Sequence, residues 1–187
     1  SAAFFRSGSL ATCRLKSRWM AQASPRRSPR RLLQDGGTVE VNIIKQELGK
    51  NSYQVLVDRG LLARAGDFAR NLPGSQAFIL SNTTVAPLYA QTLATSLKQS
   101  GLKTHLYELG DGEDFKNLAT LSKVYDALVE ARLERGDSLW TLGGGVVGDL
   151  GGFAAATYLR GIKLVQVPTT LLAQVDSSVG GKVAVNH

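Results

Sequence analysis

The sequence is poor in the residues that staple small secreted folds: one of its 187 positions is cysteine, Cys13, and five are proline. A single cysteine closes no internal disulfide, so the fold owes nothing to oxidation, and a reducing compartment suits it. No stretch approaches the roughly 18 uninterrupted apolar residues of a membrane-spanning helix. The apolar runs near Phe153 and Val165 are short and broken by Gly, Gln or Pro. Histidine is scarce as well: His105 and His187 offer no metal-ligand spacing, and no pairing of nucleophile and base is readable. What is present, 43% apolar and 20% charged residues, is an ordinary globular composition for one domain with a core.

Acid is missing from the first 34 residues, and that absence locates the net charge of +7. Arg6, Arg14, Lys16, Arg18, Arg26, Arg27, Arg30 and Arg31 face one acid, Asp35, whereas the remaining 14 basic and 14 acidic residues cancel. The body is neutral, with no phosphate-tracking face, so no nucleic-acid or membrane partner is expected of it. The Arg- and Ser-rich segment has the composition of an organelle transit peptide, and its apolar start is too short for a secretory signal. A disordered leader over residues 1–37 is the expectation, with a plastid destination and mitochondrion or cytoplasm as alternatives. The competing reading is a basic arm for RNA or an acidic partner.

From residue 38 the pattern alternates. Residues 39–44 and 53–57 read as half-buried strands, and residues 61–71 as a helix. Strands at 77–80, 103–107, 139–142 and 163–167 are separated by helices at about 85–99, 118–134 and 146–159. Strand and helix in turn argue for βαβ units and a parallel sheet.

Gly143-Gly144-Gly145-Val146-Val147-Gly148-Asp149 is a strand, a glycine turn and a helix start. Glycines there let backbone amides approach a pyrophosphate at a helix N-terminus. They equally permit tight helix-on-sheet packing. A plain dinucleotide fingerprint fails, because no acid lies between Asp149 and Asp176 to meet a ribose. Val179-Gly180-Gly181-Lys182 is not a Walker A, since Asp176 replaces the first Gly and Val183 the Ser or Thr. Asp176 and Lys182 nonetheless bracket a turn suited to a fixed carboxylate and a phosphate-binding ammonium; the bland alternative is two solvated side chains. Asp111, Glu113, Asp114 and Lys116 are a second polar knot, readable also as a solvated loop capping the next helix.

Together these turns resemble the 3-dehydroquinate synthases of the shikimate pathway. The resemblance is carried by the glycine turn and its continuation to Tyr158, by Arg160-Gly161, by Gln166 to Lys182, by Val185-Asn186-His187, by Asp111 to Lys116 and by Ser81-Asn82-Thr83. It covers residues 38–187. It implies a Rossmann-like α/β fold: a mostly parallel sheet with flanking helices, the N-terminal domain of a two-domain homodimeric enzyme. The helical C-terminal domain is not within this sequence.

The resemblance further implies NAD bound at Asn82, Asp111, Gly112, Glu113, Asp114, Phe115, Lys116, Gly145, Val146, Val147, Gly148, Asp149, Thr169, Thr170 and Lys182. It implies catalytic or substrate roles for Asp176, Lys182 and Arg160, the last reaching the neighbouring subunit's substrate phosphate. Zinc, or cobalt, would be held by residues of the helical domain, so no metal ligand is expected in this chain. The implied reaction converts a seven-carbon keto acid phosphate to 3-dehydroquinate and phosphate, with NAD oxidising a hydroxyl and returning the hydride. Another sugar phosphate cyclase, a metal-dependent polyol dehydrogenase and a non-catalytic NAD-binding fragment are the alternatives.

Overall fold

A computed structural model describes residues 2–6, 41–49 and 52–187. Its centre is four parallel strands: β4 (Gln76–Asn82), β5 (Lys103–Leu109), β6 (Ser138–Gly143) and β7 (Lys163–Pro168). In space they run β7-β6-β4-β5. The chain leaves β4 for β5 on one side and returns to β6 on the other, so the winding reverses between β4 and β6. Adjacent connections diverge at such a point and leave a crevice beyond the carboxyl ends of the strands. The expected parallel sheet with flanking helices is present in these four strands, but the whole seven-stranded sheet is mixed, because three further strands add three antiparallel pairings.

The period of two in β4 sorts the core. Ala77 and Ile79 pack with α1 (Ala65–Ala69) and α2 (Ala86–Gln99), whereas Phe78 and Leu80 pack with α3 (Leu118–Glu130) and α4 (Gly145–Thr157). All four strand residues are buried, as a sheet covered on both faces requires. Pro87 sits in the first turn of α2, where its missing N–H costs nothing, and Gly101 at φ 95° ends that helix. Asp137, 2% exposed, accepts from the amides of Ser75, Gln76 and Glu134 and ties the amino ends of β4 and β6 together.

β2 (Asn42–Gln46) and β3 (Tyr53–Val57) form the antiparallel pair expected near the start of the body, with β2 reaching two residues further than residues 39–44 suggest. The expected helix at 61–71 is instead a 3-10 turn, Leu61–Arg64, followed by the short α1. One expectation is corrected outright. Within the leader taken to be disordered, Ala2–Arg6 is a strand, β1, paired antiparallel to β3 on one side and β7 on the other. Its first four residues are uncharged and free of glycine and proline. The slot between β3 and β7 presents two rows of backbone donors and acceptors that a strand satisfies. The rest of the proposed leader, with Cys13, lies outside the described residues. Among the described residues no helix is long and apolar enough to cross a membrane.

Candidate nucleotide-binding site at the switch point

The crevice is bordered by the carboxyl ends of β4, β5, β6 and β7, and each contributes a turn. β6 ends at Gly143 and α4 begins at Gly145, with Gly144 extended and no side chain capping the helix. The amides of Gly145, Val146 and Val147 therefore have no intrahelical acceptor and carry the positive end of the helix dipole. The glycines of this stretch have two duties. A Cβ at Gly144 or Gly145 would meet side-chain atoms no nearer than 3.3 Å, whereas one at Gly151 would stand 2.3 Å from Thr141 Cγ2 and one at Gly152 2.3 Å from Val183 Cγ1. The early glycines open the turn and the later ones let α4 lie close on the sheet.

Gly148 belongs to the second group. Its amide is taken by the carbonyl of Gly144, at 3.0 Å, and a Cβ there would stand 2.9 Å from buried Gln166 Oε1. Val147 is likewise turned into the core. The expectation of cofactor contact at these two positions is thus narrowed to the Val147 backbone.

At the end of β4, buried Asn82 donates from Nδ2 to Asp111 Oδ1 at 2.6 Å, and its Oδ1 accepts from the amide of Val85. Thr84 donates to the other Asp111 oxygen at 2.8 Å. The carboxylate is thereby fixed at the mouth of the crevice. The loop continues through Gly112, at φ 113°, into a 3-10 turn, Glu113–Phe115, and the ring of Phe115 lies where a side chain on Gly110 would be. Lys116 reaches back to Asp149 in the first turns of α4, with Nζ 2.6 Å from Oδ2 and both side chains under 20% exposed. Glu113 is 3.9 Å from the same ammonium. An ion pair this sheltered is a charge-assisted hydrogen bond, stronger than a surface pair.

After β7, the Thr169 amide donates to the Gly143 carbonyl, and Thr170 Oγ1 accepts from the Ala173 amide. A π turn, Ala173–Ser177, then packs on the start of α4, with Ser177 Oγ 3.3 Å from the Cβ position of Gly145. Thr169 Oγ1 and Ser177 Oγ are buried with no hydrogen-bond partner. Such oxygens cost stability unless something completes them. Asp176 and Lys182 pair at 2.5 Å, each about 60% exposed. The sequence motifs thus converge, with one exception. Arg160, at φ 66°, lies in the 3-10 turn Tyr158–Arg160 beyond the far end of α4, about 20 Å along that helix from the glycine turn. Sequence reading missed Thr84 and Ser177, although both adjoin residues it singled out.

His105 stands apart, near the amino end of β5, with Nε2 2.9 Å from Gln76 Oε1. Burial, and secondarily the charge of Lys103, lowers its pKa, against a smaller opposing effect of Asp137. A groove of about 890 Å³ lined by Gln76, Lys103, His105 and Arg132 lies on that edge, away from the crevice. Among the described residues no three histidine, cysteine or carboxylate side chains are grouped as a metal site.

Residues 106–187 match the family described as 3-dehydroquinate synthase N-terminal. A 3-dehydroquinate synthase of Pelotomaculum thermopropionicum is 54% identical over 151 residues, which are 80% of this chain and 39% of that protein. The 3-dehydroquinate synthase of Nitrosomonas europaea is 53% identical over 136 residues, 73% of this chain and 37% of its own length. The chain thus spans about two fifths of the length of the curated relatives it matches. Among solved structures, the 2-epi-5-epi-valiolone synthase of Streptomyces hygroscopicus, with NAD+ and Zn2+ bound, is 31% identical with a TM-score of 0.62, over 70% of this chain and 36% of that one. A 2-deoxy-scyllo-inosose synthase at 24% identity and TM-score 0.71, over 78% of this chain and 41% of its own, shares the fold.

Proposed function

Because the chain belongs to the 3-dehydroquinate synthase family, we propose that it is the NAD-binding part of an enzyme that converts 3-deoxy-D-arabino-heptulosonate 7-phosphate to 3-dehydroquinate and phosphate. The observation that carries this reading is the open first turn of α4 at the switch point, with three free amides and the orphaned Ser177 hydroxyl 3.3 Å from the Cβ position of Gly145. That is a cradle for a pyrophosphate. NAD, when bound, supplies the reversible oxidation of the substrate hydroxyl that acidifies the neighbouring proton and lets phosphate leave.

The chain's own residues bind and orient. The amides of Gly145 to Val147 take the pyrophosphate oxygens. Asp111, immobilised by Asn82 and Thr84, accepts from ribose hydroxyls. Lys116, held by Asp149, and Lys182, held by Asp176, present ammonium groups to the cofactor and to the substrate phosphate. The described residues do not fit the zinc or cobalt of such enzymes, and none is given that role.

Two further elements of the reading concern the whole protein. It acts as a homodimer in which Arg160, remote from its own crevice, serves the neighbouring subunit's substrate. Its Arg- and Ser-rich segment over residues 7–34, which holds no acid, directs it to a plastid.

Calorimetric titration with NAD tests the site. Lys116→Ala is expected to weaken binding about 10- to 150-fold, the range of one charge-assisted hydrogen bond. Parental affinity in that variant, or no binding by the parent chain, refutes the assignment.

A further inference from the structure

Residues 183–187 run back across the start of α3 as a strap, and none of the chemistry above uses them. Val183 covers Gly152, and Val185 packs against the cluster formed by α3 and α4. Asn186 then makes a parallel bridge with Asn117, the residue whose side chain caps α3. Its amide donates to the carbonyl of Lys116 at 2.7 Å, and its Nδ2 donates to Glu113 Oε1 at 3.0 Å. The strap therefore grips the loop of residues 111–117 at Glu113, which begins its 3-10 turn, and at Lys116, which follows it.

We propose that Asn186 is a positioning residue for the nucleotide site, holding the Glu113 carboxylate and the Lys116 backbone so that the Lys116 ammonium stays on Asp149 at the mouth of the crevice. The inference rests on the NAD reading above and extends it to a residue remote from the glycine turn. Glu113 Oε1 lies between two donors, the Asn186 amide at 3.0 Å and the Lys116 ammonium at 3.9 Å. Losing the first frees the carboxylate to compete with Asp149 for the second. Losing the Asn186 backbone contact as well would loosen the end of the turn, whose remaining ties are the Lys116 amide to the Glu113 carbonyl, the Lys116 ammonium to Asp149 and the Asn117 side-chain amide to the Asp114 carbonyl.

Three variants of the full chain separate positioning from plain structural support. Asn186→Ala removes the donor and is expected to weaken NAD binding about fivefold. Asn186→Asp keeps the size but sets an acceptor against Glu113, so it is expected to weaken binding more than Asn186→Ala. Glu113→Gln/Asn186→Asp exchanges donor and acceptor. It is expected to restore slow hydrogen exchange at the residue 186 amide, which speeds up about tenfold in Asn186→Asp alone. NAD affinity unchanged in Asn186→Ala, equal losses in the two single variants, or no recovery of exchange in the double variant overturns the proposal by itself. A parent chain that binds no NAD overturns the reading of the site and the proposal together.

Discussion

A glycine at a turn has two meanings, and only the space around each one separates them. Gly144 and Gly145 leave the crevice open, whereas Gly151 lies on Thr141 and Leu80. Gly151→Ala is therefore expected to destabilise the chain by about 1–3 kcal/mol while leaving NAD affinity near parental, checked by denaturant unfolding beside calorimetry. Thr141 is stiff and buried and cannot yield. His105 gives a second prediction at this scale. Its folded-state pKa lies below the ordinary 6.5, so the unfolded chain binds the proton first as pH falls. Its contribution to stability is complete above pH 6.5 and declines as pH drops through that value toward the folded pKa. His105→Gln should flatten this part of the stability profile, measured as unfolding midpoint between pH 7.5 and 5.

At the scale of elements, α3 illustrates how much local sequence determines. Asn117 is extended, its Oδ1 accepts the Thr120 amide at 2.8 Å, and Leu121, Val124 and Leu128, which follow at helical spacing, are buried. Asn117→Ala should cost about 1 kcal/mol and fray the first turn, seen as faster amide exchange at Thr120 and Leu121. Elements of this kind, with a cap, a period and a stop, were legible in the sequence: the four parallel strands and their helices fall within a few residues of expectation. The glycine turn, the loop of residues 111–116 and the Asp176 and Lys182 pair were legible as motifs, and the structure adds that they all follow the carboxyl ends of parallel strands. Three features were not. The π turn at Ala173–Ser177 has no pattern of its own. The division of labour among the α4 glycines depends on β6, β7 and the strap, which are distant in sequence. The pairing of Ala2–Arg6 depends on two edges that only the folded sheet creates.

That last pairing matters most for the molecule as a whole. β1 is the strand that joins the β2 and β3 pair to the parallel sheet, with five residue pairs to β3 and three to β7. A leader that ended at residue 37 and was wholly dispensable for folding is not compatible with this arrangement. Deleting residues 1–7 should expose two strand edges, lower the thermal midpoint by several degrees and promote self-association, read by scanning calorimetry and light scattering. Phe4→Pro removes a backbone donor in the middle of the same strand and should act in the same direction.

The position of β1 also orders events in time. Phe4 pairs with Gln166, about 160 residues away, whereas β4 and β6 can pair as soon as residues 76–143 exist. On a ribosome β1 emerges well before β7 and waits for its second partner, and closing so long a loop is slow. The sheet is thus completed by a strand made long before its second partner, and until β7 exists one edge of β1 is open to whatever else in the cell binds extended chains.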